Sequence, residues 1–130
     1  MKTLLTTFIA LSFSMLANAG GSPEHVHLPE GYQSTFTHYE TRNRVNGKQV
    51  AVFYANQAAV DSASSGNYAD GSTVIMEIYK TIPGEDGKPL VGEDGVFQKG
   101  KFAAIGVMEK QSQWSEQYPA DERAGNWGFA

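Results

Sequence analysis

The fold is decided by residues 70–82, which read DGSTVIMEIYKTI. Asp-Gly is a common turn dipeptide, and the run after it is rich in the β-branched and aromatic residues that favour strands. We therefore predict a central β-strand here. Because side chains alternate along a strand, consecutive residues point to opposite faces of the sheet. One face carries Thr73, Ile75, Glu77 and Tyr79, and the other carries Val74, Met76, Ile78 and Lys80.

Two further strands are predicted before the central one. Residues 32–45 carry aromatic side chains among polar ones, and residues 49–54 read QVAVFY, a nearly continuous apolar run. The dipeptide Asn46-Gly47 between them is typical of a type I′ hairpin turn, so the two strands should be antiparallel neighbours.

A short helix is predicted over residues 57–64. Asn56 can cap its first turn, and Gly66 can end it in a left-handed conformation. The apolar side of this helix is built from small residues such as Ala59 and Ala63, so the helix should lie close to the sheet. With short connections and β-type periodicity, the sequence predicts an α+β fold: a mostly antiparallel β-sheet with one or two short flanking helices.

The segment between the central strand and the next one repeats a tetrapeptide. Gly-Glu-Asp-Gly occurs at residues 84–87 and again at 92–95. Paired acidic residues suggest calcium, but the spacing lacks the closing glutamate of a twelve-residue calcium loop. Because Asp-Gly is also common in turns, we favour two turns and predict no metal site in the chain.

The C-terminal part predicts one complete strand and the beginning of another. Residues 101–110 read KFAAIGVMEK, which is apolar on both faces, so this strand should be well buried. Trp127 and Phe129 share one face of a short strand at the end. Because such an apolar half strand needs a partner, we expect the domain to be incomplete at its C-terminus and this face to be open to water.

Length and charge limit the class of protein. The 130 residues suggest one domain, which we place at residues 32–130. The formal net charge is −4 and becomes −5 once Lys2 is removed with the first 19 residues. An acidic chain without a basic patch is a poor candidate for binding nucleic acid.

Residues 1–19 are typical of a secretory signal peptide. A basic Lys2 precedes the apolar run 4–16, and Ala17-Asn18-Ala19 is a small-x-small cleavage site. We predict cleavage after Ala19 and a periplasmic or secreted protein. No later stretch is long and apolar enough to cross a membrane, so we expect no membrane association after cleavage.

Residues 20–31 are rich in Gly, Pro, Glu and His, and we interpret them as a mobile N-terminal arm. His25 and His27 would share a face of an extended segment and could chelate a metal ion. Since no third ligand lies nearby, a solvated tail is the preferred interpretation.

Several short motifs, in order and spacing, make the chain resemble the cytochrome P-460 family of exported c-type haem proteins. They run from residue 28 to the end: LPEGY at 28–32, VFYAN at 52–56, SG at 65–66, YADG at 68–71, EIY at 77–79, VMEK at 107–110 and GNWGF at 125–129. The resemblance implies a periplasmic, often homodimeric protein with a mostly antiparallel sheet. It also implies a haem held by a Cys-x-x-Cys-His motif near the C-terminus.

The family's best-known members oxidise hydroxylamine, and others bind small gases such as nitric oxide. This chain has no cysteine and no histidine after His38, so we expect no covalently bound haem here. Hydroxylamine-oxidising members carry a lysine, cross-linked to the haem, at the position of Met76. Lys80 lies on the same face but about 13 Å further along the strand, so it cannot replace that lysine.

If a haem is present, the resemblance makes Met76 and Phe102 candidates for the wall of its pocket, while catalytic residues stay unassigned. Possible partners are nitrogen-oxide molecules, redox proteins or a second copy of the chain. Three hypotheses remain open: a haem domain for electron transfer, gas binding or nitrogen-oxide chemistry; a haem-free exported binding module; and an inactive truncated remnant.

Overall fold

Five strands form one antiparallel sheet in the computed structural model, which describes residues 22–130. The strands cross the sheet in chain order: β1 Thr37–Arg44, β2 Gln49–Ala55, β3 Thr73–Thr81, β4 Lys99–Lys110 and β5 Trp127–Phe129. Two short α-helices accompany them, α1 Tyr32–Thr35 and α2 Gln57–Ser62. The predicted α+β fold is confirmed. The predicted signal peptide lies outside the described residues, and within residues 22–130 no helix is long and apolar enough to span a membrane.

The middle strand β3 divides the sheet into two faces, because directly paired residues of neighbouring strands share a face. The Glu77 face comprises Val52, Tyr54, Ile75, Glu77, Ile105 and Val107. The Met76 face comprises Ala51, Phe53, Val74, Met76, Ile78 and Gly106. These two names are used below.

The larger buried cluster lies on the Glu77 face. Its buried members come from distant parts of the chain: Val26, Tyr32, Ile75, Val107 and Tyr118. Val26, only 1% exposed, belongs to the segment that we expected to be a mobile arm. In the structure this valine is part of the core instead, because packing it against the sheet removes its apolar surface from water.

The first predicted strand begins later than the sequence pattern suggests. Residues 32–35 form α1, and Gly31, with a left-handed φ of 73°, turns the chain into that helix. The helical turn brings the hydroxyl of Tyr32 to the carboxylate of Glu77. A contact distant in sequence therefore outweighs the preference of tyrosine for strands.

The hairpin turn at Asn46-Gly47 is confirmed in place, but the predicted type is wrong. The connection has four residues, 45–48, closed by the Lys48 N–H donating to the Val45 carbonyl at 3.2 Å. Neither Asn46 nor Gly47 has the positive φ that type I′ requires; Lys48 has it, at 51°. Four-residue loops are most often built around a type I turn, which explains the difference.

The helix α2 is fixed at both ends as predicted, with its last turn tightened into a 3₁₀ helix at Ala63–Ser65. The Asn56 side-chain oxygen accepts from the Ala59 N–H at 3.1 Å and from the Thr73 N–H at 3.0 Å. This one side chain therefore caps the helix and ties it to β3. Gly66 ends the segment with a φ of 80°.

Both Gly-Glu-Asp-Gly tetrapeptides form turns, as predicted. In each, the N–H of the last glycine donates to the carbonyl of the first at 3.0 Å. In each, the aspartate also accepts an N–H from two residues further on: Asp86 from Lys88 at 2.9 Å, and Asp94 from Val96 at 3.0 Å. The two turns are thus local copies of one structure.

Only the second half of β4 is buried. Val107 and Met108 are buried, whereas residues 101–104 are exposed, so the prediction of a well-buried strand holds for the second half alone. The pairing register shifts opposite Tyr79. A β-bulge of this kind bends the strand and re-aims its side chains, which an apolar pattern does not reveal.

The short strand β5 is better covered than expected. It pairs with β4, with Phe129 opposite Met108, and Phe129 is 1% exposed. The neighbouring Gly128 is packed tightly: a Cβ atom there would lie 2.8 Å from both the Trp114 and Tyr118 rings. Glycine is therefore required where β5 passes these two aromatic side chains.

Candidate functional site

A buried carboxylate lies at the centre of the Glu77 face. Glu77 is 1% exposed, and three side chains donate hydrogen bonds to it. The Tyr32 hydroxyl and the Gln33 amide donate to Oε2, the amide at 2.7 Å, and the Tyr79 hydroxyl donates to Oε1 at 2.9 Å. A buried charge is costly unless it is hydrogen-bonded, so these donors allow a glutamate in the middle of the sheet.

Burial and hydrogen bonding act in opposite directions on the pKa of Glu77. Burial raises it, but the three donors and the positive charge of Lys99 outweigh burial and hold the pKa below its ordinary value of 4.5. Burial, followed by the contact with Glu77, raises the pKa of Tyr79 to about 12 and also raises that of Tyr32. At neutral pH Glu77 is therefore charged and the tyrosines remain protonated donors.

An open cavity of about 580 Å³ lies beside this cluster, between the strands β1–β2 and residues 92–99. We call it the loop cavity. Val52, in its floor, pairs directly with Glu77, which places the cavity on the Glu77 face. The volume is within the range of small-molecule sites, roughly 300–1,000 Å³.

The Met76 face differs in being apolar and only partly covered. Ala51, Phe53 and Ile78 are buried in it, and Val74 and Met76 pack against them half-buried. Gly106 lies directly opposite Met76 and adds no side chain. Met76 therefore has a residue without a side chain on one side and the Phe53 ring, paired with it on β2, on the other.

The structure does not bring the two predicted haem-wall residues together. Met76 lies on the Met76 face, whereas the Phe102 ring contacts Tyr79, edge to face, with ring centroids 5.6 Å apart. The bulge in β4 is responsible, because Ile78 pairs with Ala104 but Tyr79 pairs with Phe102, which leaves one intervening residue unpaired. Phe102 therefore lies on the side of Tyr79, where it is 51% exposed.

The histidines are engaged in local contacts. The His25 ring stacks on Tyr118 at 4.9 Å and bonds the Ser22 hydroxyl at 2.8 Å. His38 Nε2 lies 3.1 Å from the Glu40 carbonyl and tilts against the Tyr54 ring, and His27 is exposed. Within residues 22–130 no three His, Cys, Asp or Glu side chains are grouped so as to hold a metal ion.

A comparison of the sequence with models of protein families tests the family resemblance that the short motifs indicate. The sequence model of the cytochrome P-460 family matches residues 29–130, which include all five strands. The chain belongs to the cytochrome P-460 family. A comparison with curated proteins finds no match.

Membership of the cytochrome P-460 family implies a haem in intact relatives, so the residues can be tested against that group. The apolar, half-covered Met76 face fits the wall of a haem pocket. The attachment does not fit, because the sequence contains no cysteine and because His25 and His38 both contact aromatic rings of the Glu77 side. The described residues therefore offer an apolar face against which a haem could pack, and no thioether bond.

Sequence reasoning missed the Glu77 cluster and the loop cavity. A glutamate inside an otherwise apolar strand was the available signal, because such a residue must find donors elsewhere. The sequence could not indicate which donors, since Tyr32 and Gln33 are more than 40 residues away in the chain. The cavity depends on how the second Gly-Glu-Asp-Gly turn folds back, which no local pattern encodes.

Proposed function

We propose that the Met76 face forms the apolar wall of a haem pocket in an exported domain, and that this domain serves small-gas binding or electron transfer. The observation that carries the proposal is the position of Met76, which is half-buried in an apolar face and has Gly106 directly beside it. An apolar wall gains free energy by covering the faces of a haem ring, at about 25 cal/mol per Å² removed from water.

Oxidation of hydroxylamine through a lysine cross-link is not part of this proposal. The family resemblance matches that lysine to Met76, whose thioether has no amine with which to form such a bond. Lys80 is exposed and lies four residues further along β3. At about 3.3 Å per residue its Cα is about 13 Å away from that of Met76.

A haem titration tests the proposal. Ferric haem is added to the protein, and binding is followed by the shift of the Soret absorption band. Met76→Glu places a charge on the apolar face and should weaken binding by at least about tenfold. The matched control is Val45→Glu, in the β1–β2 turn, where the side chain is already 69% exposed. Equal binding by both variants would contradict the proposal.

The mode of attachment gives a second readout. Because the chain has no cysteine, haem acquired during expression with a cytochrome c maturation system should be lost on denaturation. A haem-stained band that survives denaturation would show a covalent bond that these residues do not explain. If ferric haem does not bind at all, the alternative of a haem-free exported binding module is favoured.

Export itself is tested at the N-terminus of the protein. We propose cleavage after Ala19, as the order of basic, apolar and small residues indicates. Sequencing of the protein recovered from the periplasm should begin at Gly20. A product that retains Met1 would contradict export by this route.

A further inference from the structure

The loop cavity carries an inference that does not depend on haem. We infer that it binds a small zwitterion of the α-amino-acid type with an apolar side chain. Lys99 would receive the carboxylate, Asp94 the ammonium, and Val52 and Phe97 the apolar part. All four residues line the cavity. It lies on the opposite face of the sheet from Met76, so a ligand here and a haem there would not compete.

The roof of the cavity is held in place by one side chain of β1. The Asn43 amide donates to the Gly95 carbonyl at 2.9 Å, and its oxygen accepts from the Phe97 N–H at 2.8 Å. These two bonds join residues more than 50 positions apart and fix the second Gly-Glu-Asp-Gly turn over the strands. The cavity is therefore largely formed before a ligand arrives, which lowers the entropy lost on binding.

The charges of the lining indicate the class of ligand. Lys99 and Asp94 carry opposite charges on one cavity, and no ion pair between them occurs in the described part of the chain. The Lys99 ammonium lies 4.6 Å from the centre of the Tyr79 ring, while one Asp94 oxygen is used by its own turn. A ligand with both charges complements this arrangement better than an anion or a cation alone.

The negative charge of buried Glu77 also favours a zwitterionic ligand. Its carboxylate lies just behind the cavity and is bonded by Gln33, a lining residue. With Lys99 and Asp94 the local formal charge is −1, which disfavours a simple anion. A zwitterion adds no net charge, so it meets Lys99 without this penalty.

The remaining polar groups can bind the ends of such a ligand. His38 Nε2 lies 3.1 Å from the Glu40 carbonyl and 2.8 Å from the Thr41 hydroxyl oxygen. Both His38 and Thr41 line the cavity, so this hydrogen-bonded pair can bind one end of the ligand.

The test compares three probes that share a phenyl ring and differ in charge: L-phenylalanine, 2-phenylethylamine and 3-phenylpropanoate. Binding to the isotope-labelled protein is followed by NMR shifts of the amides that line the cavity, including Val52 and Phe97. We expect L-phenylalanine to bind at least about fivefold more tightly than either singly charged probe. The expected difference is modest because water weakens the interaction of partly exposed charges. Equal affinity for the three probes, or no shifts with any of them, would overturn the inference.

The repeated tetrapeptide provides a matched control for Asp94. Asp94→Asn removes the charge and keeps the oxygen that accepts from the Val96 N–H. Asp86→Asn makes the same change in the equivalent first turn, where Asp86 does not line the cavity. Asp94→Asn should lower the affinity for L-phenylalanine about fivefold and leave 3-phenylpropanoate unaffected or tighter. The same loss in Asp86→Asn would contradict the proposed site.

The role of Lys99 in binding the carboxylate is tested by making the same change at Lys101, a nearby residue of β4. Lys99→Met keeps the length of the side chain and removes its charge, and Lys101→Met does the same at an exposed position outside the lining. We expect only Lys99→Met to weaken the binding of L-phenylalanine. The affinity of this variant for L-phenylalanine should come close to its affinity for 2-phenylethylamine. Unchanged binding in Lys99→Met would show that the carboxylate is not recognised there.

Discussion

Two consecutive residues of β3 define two very different surfaces. On the Glu77 face, a charged side chain is completely covered and bonded by three donors from α1 and β3. On the Met76 face, an apolar side chain remains half-exposed beside other apolar residues. The hydrophobic pattern alone would assign the opposite environments, with methionine buried and glutamate in water.

The difference indicates that the Glu77 cluster maintains the fold, whereas the half-covered Met76 face contributes less to stability. The Glu77 face gathers the N-terminal segment, α1 and Tyr118 into one core, so changes there should alter stability. The Met76 face has fewer partners among the described residues, so changes there should alter binding more than stability. The predictions below test this division, from the largest expected effect to the smallest.

The largest effect is expected from removing the buried carboxylate. Glu77→Ala leaves the hydroxyls of Tyr32 and Tyr79 and the amide of Gln33 without their acceptor, and should lower the free energy of unfolding by about 3 kcal/mol. Met76→Ala, on the adjacent half-exposed residue, should cost about 1 kcal/mol. Urea denaturation measures both. Equal losses would contradict the division between the faces.

A slightly smaller effect is expected at the contact between β5 and the core. A methyl group in Gly128→Ala would meet the Trp114 and Tyr118 rings, and should destabilise the protein by about 2 kcal/mol. The control is Gly47→Ala, whose nearest neighbour is the flexible end of the Gln49 side chain at 3.2 Å. A loss as large in the control would show that the packing of β5 is not the cause.

The dependence of stability on pH should reflect the titration of Glu77 and of the tyrosines bonded to it. The pKa of Glu77 is lower in the folded protein, so its contribution is present above about pH 4.5 and is lost as pH falls through the folded value. The pKa of Tyr79 is raised to about 12, so stability should also fall as pH rises from about 10 towards 12. In Glu77→Gln the acid-dependent part of this loss should be smaller, as measured by thermal unfolding across pH.

The smallest effect is expected from a single hydroxyl. Tyr79→Phe removes one of the three donors to Glu77 and should cost about 1 kcal/mol. Tyr68→Phe, at a phenol on a residue that is 40% exposed, is the matched change and should cost less than half of that. Chemical denaturation compares the two variants directly, and a larger loss in Tyr68→Phe would contradict the assigned role of Tyr79.

Local patterns predicted the elements whose causes are local. The β-branched run of β3, the Asn56 cap of α2 and the Asp-Gly turns follow from the chemistry of neighbouring residues. The antiparallel order followed from short connections between successive strands. The family resemblance also rested on short motifs in order, and it led to the correct family.

The failed predictions share a dependence on distant contacts. Tyr32 begins a helix because Glu77 needs a donor, and Val26 is buried because Tyr118 and Ile75 are close in space. Phe102 changes faces because of a bulge opposite Tyr79. None of these causes lies within the segment that it affects, so no periodicity or propensity could reveal them.

The central claim, that the Met76 face is the haem wall, is tested most directly by NMR of side-chain methyl groups. Ferric haem is paramagnetic and broadens the signals of methyl groups close to it. Addition of haem should broaden the methyl signals of Met76, Val74 and Ile78 much more strongly than those of Val52 and Val96, which lie on the other side of the sheet. Broadening of Val52 and Val96 with Met76 unaffected would place the haem on the wrong face and contradict the account.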